Sequence, residues 1–214
     1  MVNYLFFDLD GTLTDSSEGV CKSFAFALNR LGVRTDNLES LKKYLGPPLS
    51  VGFADFFEGE KIKEAEAAYR ERYRDVGWKE NRVYDGMPEA LERLRRAGYK
   101  IVMATSKPEP YARQIAEYFD FAKYFDYICG ATFDGRISSK AEVIRYALDT
   151  TGANPEEVCM IGDRFYDVEG AAAFGIGTLG VTFGFGTREE LLGAGAFDTV
   201  GTPAEIADYF EPRR

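Results

Sequence analysis

Short apolar runs recur along the chain, each bounded by turn residues or by a segment of a different period: Tyr4 to Phe7 (YLFF), Tyr99 to Ala104 (YKIVMA), Val158 to Ile161 (VCMI) and Ile176 to Val181 (IGTLGV). Runs of this length without strict polar alternation predict strands buried on both faces. Helical periodicity separates them. The segment after Pro88, EALERLRRAG, places Ala90, Leu91, Leu94 and Ala97 on one face, has proline in its first turn, gathers arginines late and stops at Gly98, as helix-end chemistry requires. Strands alternating with helices predict an α/β fold around a parallel sheet.

Between residues 15 and 84 the pattern changes, because no strand-like run occurs and the helical period dominates. Helices are expected through VCKSFAFALNRLG with Gly32 as the stop, in the stretch broken by Gly46-Pro47-Pro48, from Val51 to Phe57 and from Lys61 to Val76. Glycine and proline supply those boundaries. The expected organisation is therefore a core domain of residues 1–14 and 85–214, with a helical domain of residues 15–84 inserted after the first strand.

Composition narrows the chemistry. The 214 residues, 45% apolar and 29% charged, suit a folded globular chain, which at this length buries roughly 70% of the surface exposed when unfolded. The net charge of −9 gives no electrostatic footprint for binding a nucleic-acid polymer. An anionic ligand must be met by local positive groups. There is no histidine, which excludes imidazole bases, Ser-His-Asp triads and His-ligated zinc. Cys21, Cys129 and Cys159 are odd in number and far apart, so neither a disulfide framework nor a thiolate metal site is expected. No signal-like or membrane-length apolar segment is found, and a cytoplasmic location without a membrane partner is expected.

Four groups of residues remain. Asp8-Leu9-Asp10-Gly11-Thr12 follows the first predicted strand; a fixed D-x-D-G-T arises by chance at about one start in 10⁵. Ligands bind at the carboxyl ends of strands in open parallel sheets, and in extended chain Asp8 and Asp10 share a face. Two such carboxylates need a cation or a shared proton between them. Thr105 ends the second run. Ser139-Lys140-Ala141-Glu142 reads as a capping box that sets Lys140 in a helix's first turn, where the dipole disfavours a cation by several tenths of a kcal/mol. That misplaced charge suggests a ligand. Gly162-Asp163-Arg164-Phe165-Tyr166-Asp167 follows the third run, with Asp163 at or next to a helix start and Asp167 one turn on.

In this order, hhhhDxDGT, a strand-end Thr, a Lys and GDxxxD, the chain resembles the haloacid dehalogenase (HAD) superfamily. GFGTREEL (184 to 191) looks like the phosphoglycolate-phosphatase branch of subfamily IA, and GATFDGRISSKAEVIRYAL resembles relatives described as 5′-nucleotidases. The resemblance implies a three-layer Rossmann-like core with an inserted helical C1-type cap. It also implies a Mg²⁺-dependent phosphomonoesterase acting on a small metabolite, 2-phosphoglycolate or a nucleoside 5′-monophosphate. In that scheme Asp8 is the nucleophile that becomes an aspartyl-phosphate, and Asp10 is the general acid and base. Thr105, Lys140 and the backbone N–H groups of Leu9 and Ser106 grip the phosphate. Asp8, the carbonyl of Asp10 and Asp163 hold Mg²⁺, with Asp167 behind them. The cap loop Gly46, Pro47 and Pro48 is expected to contact substrate, and the aromatic residues of the helical segment are expected mostly in its core. A monomer or weak dimer is expected. A phosphoryl mutase like β-phosphoglucomutase shares all four motifs, whereas dehalogenases and phosphonatases lack the second aspartate that Asp10 supplies. A catalytically silent module that binds a partner protein has no need of all six polar residues.

Overall fold

The computed structural model describes residues 1–46 and 48–211. The chain runs β1 (Tyr4–Phe7), β2 (Thr14–Asp15), α1 (Ser17–Arg30), α2 (Leu49–Ala54), α3 (Glu60–Asp75), β3 (Arg82–Val83), α4 (Met87–Arg96), β4 (Lys100–Pro108), α5 (Glu109–Tyr118), β5 (Tyr127–Ala131), α6 (Lys140–Thr151), β6 (Val158–Gly162), α7 (Phe165–Ala172), β7 (Gly177–Val181), α8 (Arg188–Ala194), β8 (Asp198–Val200) and α9 (Pro203–Phe210). Contacts divide it into two units, Met1–Thr14 with Val83–Arg214, and Asp15–Arg82.

The first unit is an α/β fold on a six-stranded sheet in the order β5-β4-β1-β6-β7-β8, with every adjacent pair parallel. Leu5, Phe6 and Phe7 of β1 are fully buried, which explains the absence of alternation in that run. Burying each such side chain contributes about 1.5 to 3 kcal/mol. Phe7 is level with Met103 on one side and Ile161 on the other, so β1 and β6 end within one residue of each other while β4 runs on to Pro108. The chain turns one way from β1 into β4 and β5 and the other way into β6, β7 and β8. That reversal is the switch point where a crevice opens beyond the strand ends.

Helix α6 shows how the sequence builds this layer. The Ser139 side chain accepts the Glu142 N–H at 3.3 Å while Glu142 accepts the Ser139 N–H at 2.9 Å, and the helix ends at Gly152 with φ of 69°. Between those ends Val143, Ile144 and Ala147 pack with Phe6, Val102 and Met160.

The second unit is helical. Phe24 of α1 stacks on Phe53 at 4.1 Å and on Tyr44 at 4.8 Å, and Arg72 of α3 holds Glu80 through two bonds of 2.7 and 3.0 Å. Phe53, Phe57, Tyr69, Tyr73 and Trp78 are buried. The helix expected before Gly46 is instead a 3-10 segment, Glu39–Tyr44. Asn37 caps Ser40 at 3.2 Å and Gly46 turns with φ of 101°, leaving too few residues for a stable α-helical nucleus. The sheet also has two strands beyond the four apolar runs. β5 carries a glycine in YICGA and β8 is only DTV, both at sheet edges where continuous hydrophobicity is not required.

Candidate active site

The three strand ends deliver the polar residues. Asp8 follows β1, Thr105 lies within β4 where the sheet ends, and Asp163 follows β6. After Asp8 the chain folds back at once. The Leu9 carbonyl accepts the N–H groups of Thr12, Leu13 and Thr14 at 3.3, 2.9 and 3.0 Å, and Gly11 N–H reaches the Thr14 carbonyl at 2.7 Å. Leu9 is fully buried, pointing away from the aspartates on either side.

Lys140 crosses from the first turn of α6 to this group. Its ammonium lies 2.8 Å from Asp8 Oδ1 and 2.7 Å from Asp167 Oδ1, with its side chain only 5% exposed, and it donates to the Ala104 carbonyl at 3.1 Å. Burial works against the charge on Lys140, but Asp167 and Asp8 outweigh it and raise its pKa. Asp167 sits in the first turn of α7, where its other oxygen accepts the Arg164 N–H at 3.1 Å.

Asp163 is fully buried. Thr12 Oγ1 donates to one oxygen at 3.3 Å and Phe185 N–H to the other at 2.8 Å. The backbone closes tightly on it: a Cβ on Gly11, whose φ is 83°, would lie 2.1 Å from Asp163 Oδ2, and one on Gly184 would lie 2.5 Å from Asp163 Cβ and 2.2 Å from the Gly11 carbonyl. Only glycine fits there.

Carboxylate oxygens of Asp8, Asp163 and Asp167 lie within 4.8 Å of one another. Burial lifts Asp8 to about 6 against the pull of Lys140, with Asp167 and Asp10 adding to the rise. Burial, then the charges of Asp167 and Asp8, push Asp163 well above the ordinary carboxylate range despite the Phe185 hydrogen bond. A single lysine leaves this group electrostatically short of positive charge. An all-oxygen set of buried carboxylates is the donor chemistry of a hard divalent cation, and the residues present fit one.

The sequence-expected residues divide by location. Asp8, Leu9, Asp10, Thr105, Ser106, Lys140, Asp163 and Asp167 belong to the first unit. Thr105 is buried and its hydroxyl accepts the Lys107 N–H at 3.2 Å, while Ser106 is half-buried in the same turn. Asp167 joins the acidic cluster itself. Gly46 and Pro48 are exposed in the helical unit, and Pro47 lies outside the described residues. The structure adds Thr12, Phe185 and Lys107 to the site. For Lys107 a signal existed, since a residue two places after Thr105 in extended chain shares its face.

The family described as haloacid dehalogenase-like hydrolase matches residues 2–175. The chain belongs to that family. The hydrolase is 45% identical over 189 residues to a 5′-nucleotidase of Pseudomonas aeruginosa, covering 87% of this chain and 86% of that protein. It is 42% identical over 183 residues to the tyrosine-protein kinase PtkA of Mycobacterium tuberculosis, covering 86% of this chain but only 63% of that protein. The crystal structure of a predicted phosphatase from Clostridium acetobutylicum superposes with a TM-score of 0.93 at 43% identity, covering 98% of each chain. The hydrolase is thus a phosphatase of the HAD family acting on a phosphorylated substrate. Among the described residues no helix is long and apolar enough to cross a membrane.

Proposed function

We propose that the hydrolase removes phosphate from a small phosphomonoester through an aspartyl-phosphate on Asp8, with a nucleoside 5′-monophosphate as substrate. The observation that carries this reading is the buried ion pair of Lys140 with Asp8 at 2.8 Å, beside Asp163 and Asp167 at the switch point of the sheet. An Asp8 oxygen attacks phosphorus, the bond from phosphorus to the ester oxygen breaks, and that oxygen takes a proton from Asp10 as the alcohol leaves. Water then attacks the phosphorus of the acyl phosphate, gives a proton to Asp10 and releases phosphate with Asp8 restored. Lys140 and Thr105, with the N–H groups of Leu9 and Ser106, hold the equatorial oxygens, which is where charge must be met in an in-line transfer.

Asp8, the Asp10 carbonyl and Asp163 would hold Mg²⁺, with Asp167 supporting them through Lys140. When bound, the cation supplies positive charge against the carboxylates and the phosphoryl oxygens. The helical unit takes the part of a cap that selects substrate. The 45% identity to a 5′-nucleotidase supports nucleotides ahead of 2-phosphoglycolate. Phosphate release measured over nucleoside 5′-monophosphates, 2-phosphoglycolate and sugar phosphates, with and without Mg²⁺, tests all of this. Nucleotides should rank first and chelation should stop turnover; isomerised sugar phosphate without free phosphate would mean a mutase.

The 42% identity to PtkA favours a second reading, in which the phosphoryl group on Asp8 passes to a tyrosine hydroxyl instead of water. Label appearing on tyrosine from γ-labelled ATP would support it.

A further inference from the structure

We propose that Lys107 is a positioning residue for Asp10, fixing the carboxylate so that its second oxygen is presented to the leaving group. The inference rests on the phosphatase reading above and extends it to a residue outside the four motifs.

The strand geometry aims Lys107 inward. Against β5, β4 pairs Thr105 with Gly130 and next Pro108 with Ala131, so the register shifts across Ser106 and Lys107. Irregularities of this kind re-aim side chains near active sites. The bond from Lys107 N–H to Thr105 Oγ1 at 3.2 Å fixes the turn. The Lys107 ammonium then lies 2.6 Å from Asp10 Oδ2, with its side chain 6% exposed and that of Asp10 25% exposed. Removing an ammonium from water is costly unless a partner is held in good geometry.

Asp10 is constrained at both ends. Its backbone bridges to Thr14, and Lys107 holds one of its oxygens. The other, Oδ1, is buried with no hydrogen-bond partner. A buried acceptor left open costs stability, and here it is the oxygen free to carry the transferred proton. The two buried lysines divide the work, since Lys140 contacts Asp8 and Asp167 while Lys107 contacts Asp10. One holds the nucleophile and the other orients the acid.

The test compares phenyl phosphate with 4-nitrophenyl phosphate. The two esters are close in shape, but the nitrophenolate leaves without needing a proton. In Lys107→Met, kcat/KM, which reports the step that forms the aspartyl-phosphate, should fall about 10- to 100-fold on phenyl phosphate and less than about threefold on the nitrophenyl ester. Lys107→Arg should recover most of the loss. Equal losses on both esters, or no loss on either, would overturn the proposal. If Lys107→Met does not fold, Lys107→Gln is read in its place, and loss of fold in both would overturn it by making the lysine purely structural. Wild-type protein inactive on every phosphomonoester would instead defeat the phosphatase reading on which the proposal stands.

Discussion

Replacing Lys140 with methionine keeps most of the side-chain volume and removes the charge, so its effect separates two opposing expectations. A cation in a helix's first turn opposes the dipole, and deleting it would stabilise by about 0.3 to 1 kcal/mol if the side chain were solvated. In the structure Lys140 is buried between Asp8 and Asp167 at 2.8 and 2.7 Å. Removing one member of a buried pair costs about 3 to 5 kcal/mol, so the loss wins. The cost must also depend on pH. Asp8 rises from 3.8 to about 6 even with Lys140 in place, a preference for the neutral acid of about 3 kcal/mol. An acid whose folded-state pKa is raised contributes stability that is fully present below its unfolded value and lost as pH rises through the folded one. Without Lys140 the folded value of Asp8 rises further, so the penalty is small near pH 4 and grows as pH rises past about 6. For a chain of this size about 3 kcal/mol is a drop in Tm of about 6 to 12 °C. Calorimetry of wild type and Lys140→Met in EDTA across that range reads the effect, and excess Mg²⁺ should restore more Tm in the variant than in wild type at pH 8. Turnover should fall by about 100-fold or more. A variant that melts within about 2 °C of wild type at pH 8 and turns over normally would refute the reasoning.

Asp8→Asn should abolish phosphate release while melting no lower than wild type at pH 8 in EDTA, because the amide removes a charge that burial disfavours there; activity within about tenfold of wild type would exclude a covalent role. Asp163→Ala should raise the half-saturating Mg²⁺ concentration by about tenfold or more and weaken the Tm increase that Mg²⁺ gives wild type, and an unchanged Mg²⁺ titration would remove Asp163 from the metal set. Gly184→Ala should lower the urea midpoint by the equivalent of about 1 to 3 kcal/mol, because its Cβ would meet the Gly11 carbonyl at 2.2 Å and Asp163 Cβ at 2.5 Å; a midpoint equal to wild type would mean the turn moves freely.

The parts of the fold visible in the sequence are those where burial leaves no choice. β1, β4, β6 and β7 carry continuous apolar runs because helices cover both faces of the sheet, whereas β5 and β8 lie at its edges and need no such run. The capping box at Ser139 was legible because its bonds are local, joining residues three apart. Local chemistry does not report depth. The same four residues place Lys140 in a first turn but say nothing of its burial among Asp8, Asp167 and the Ala104 carbonyl, contacts between segments far apart along the chain. The Asp163 surroundings show the limit most clearly, since Thr12 and Phe185 reach it from distant segments and the clash that demands Gly184 is with Gly11.

Lys107 lies between these cases. Its spacing from Thr105 predicts a shared face, but a lysine at a strand end is ordinarily solvated, and only the register shift before Pro108 turns it onto Asp10. A backbone irregularity has no residue signature of its own, because Ser106 and Lys107 are compatible with either path. Hence Asp10 is visible in the sequence through its motif, but the lysine that contacts it becomes visible only once strand pairing is known.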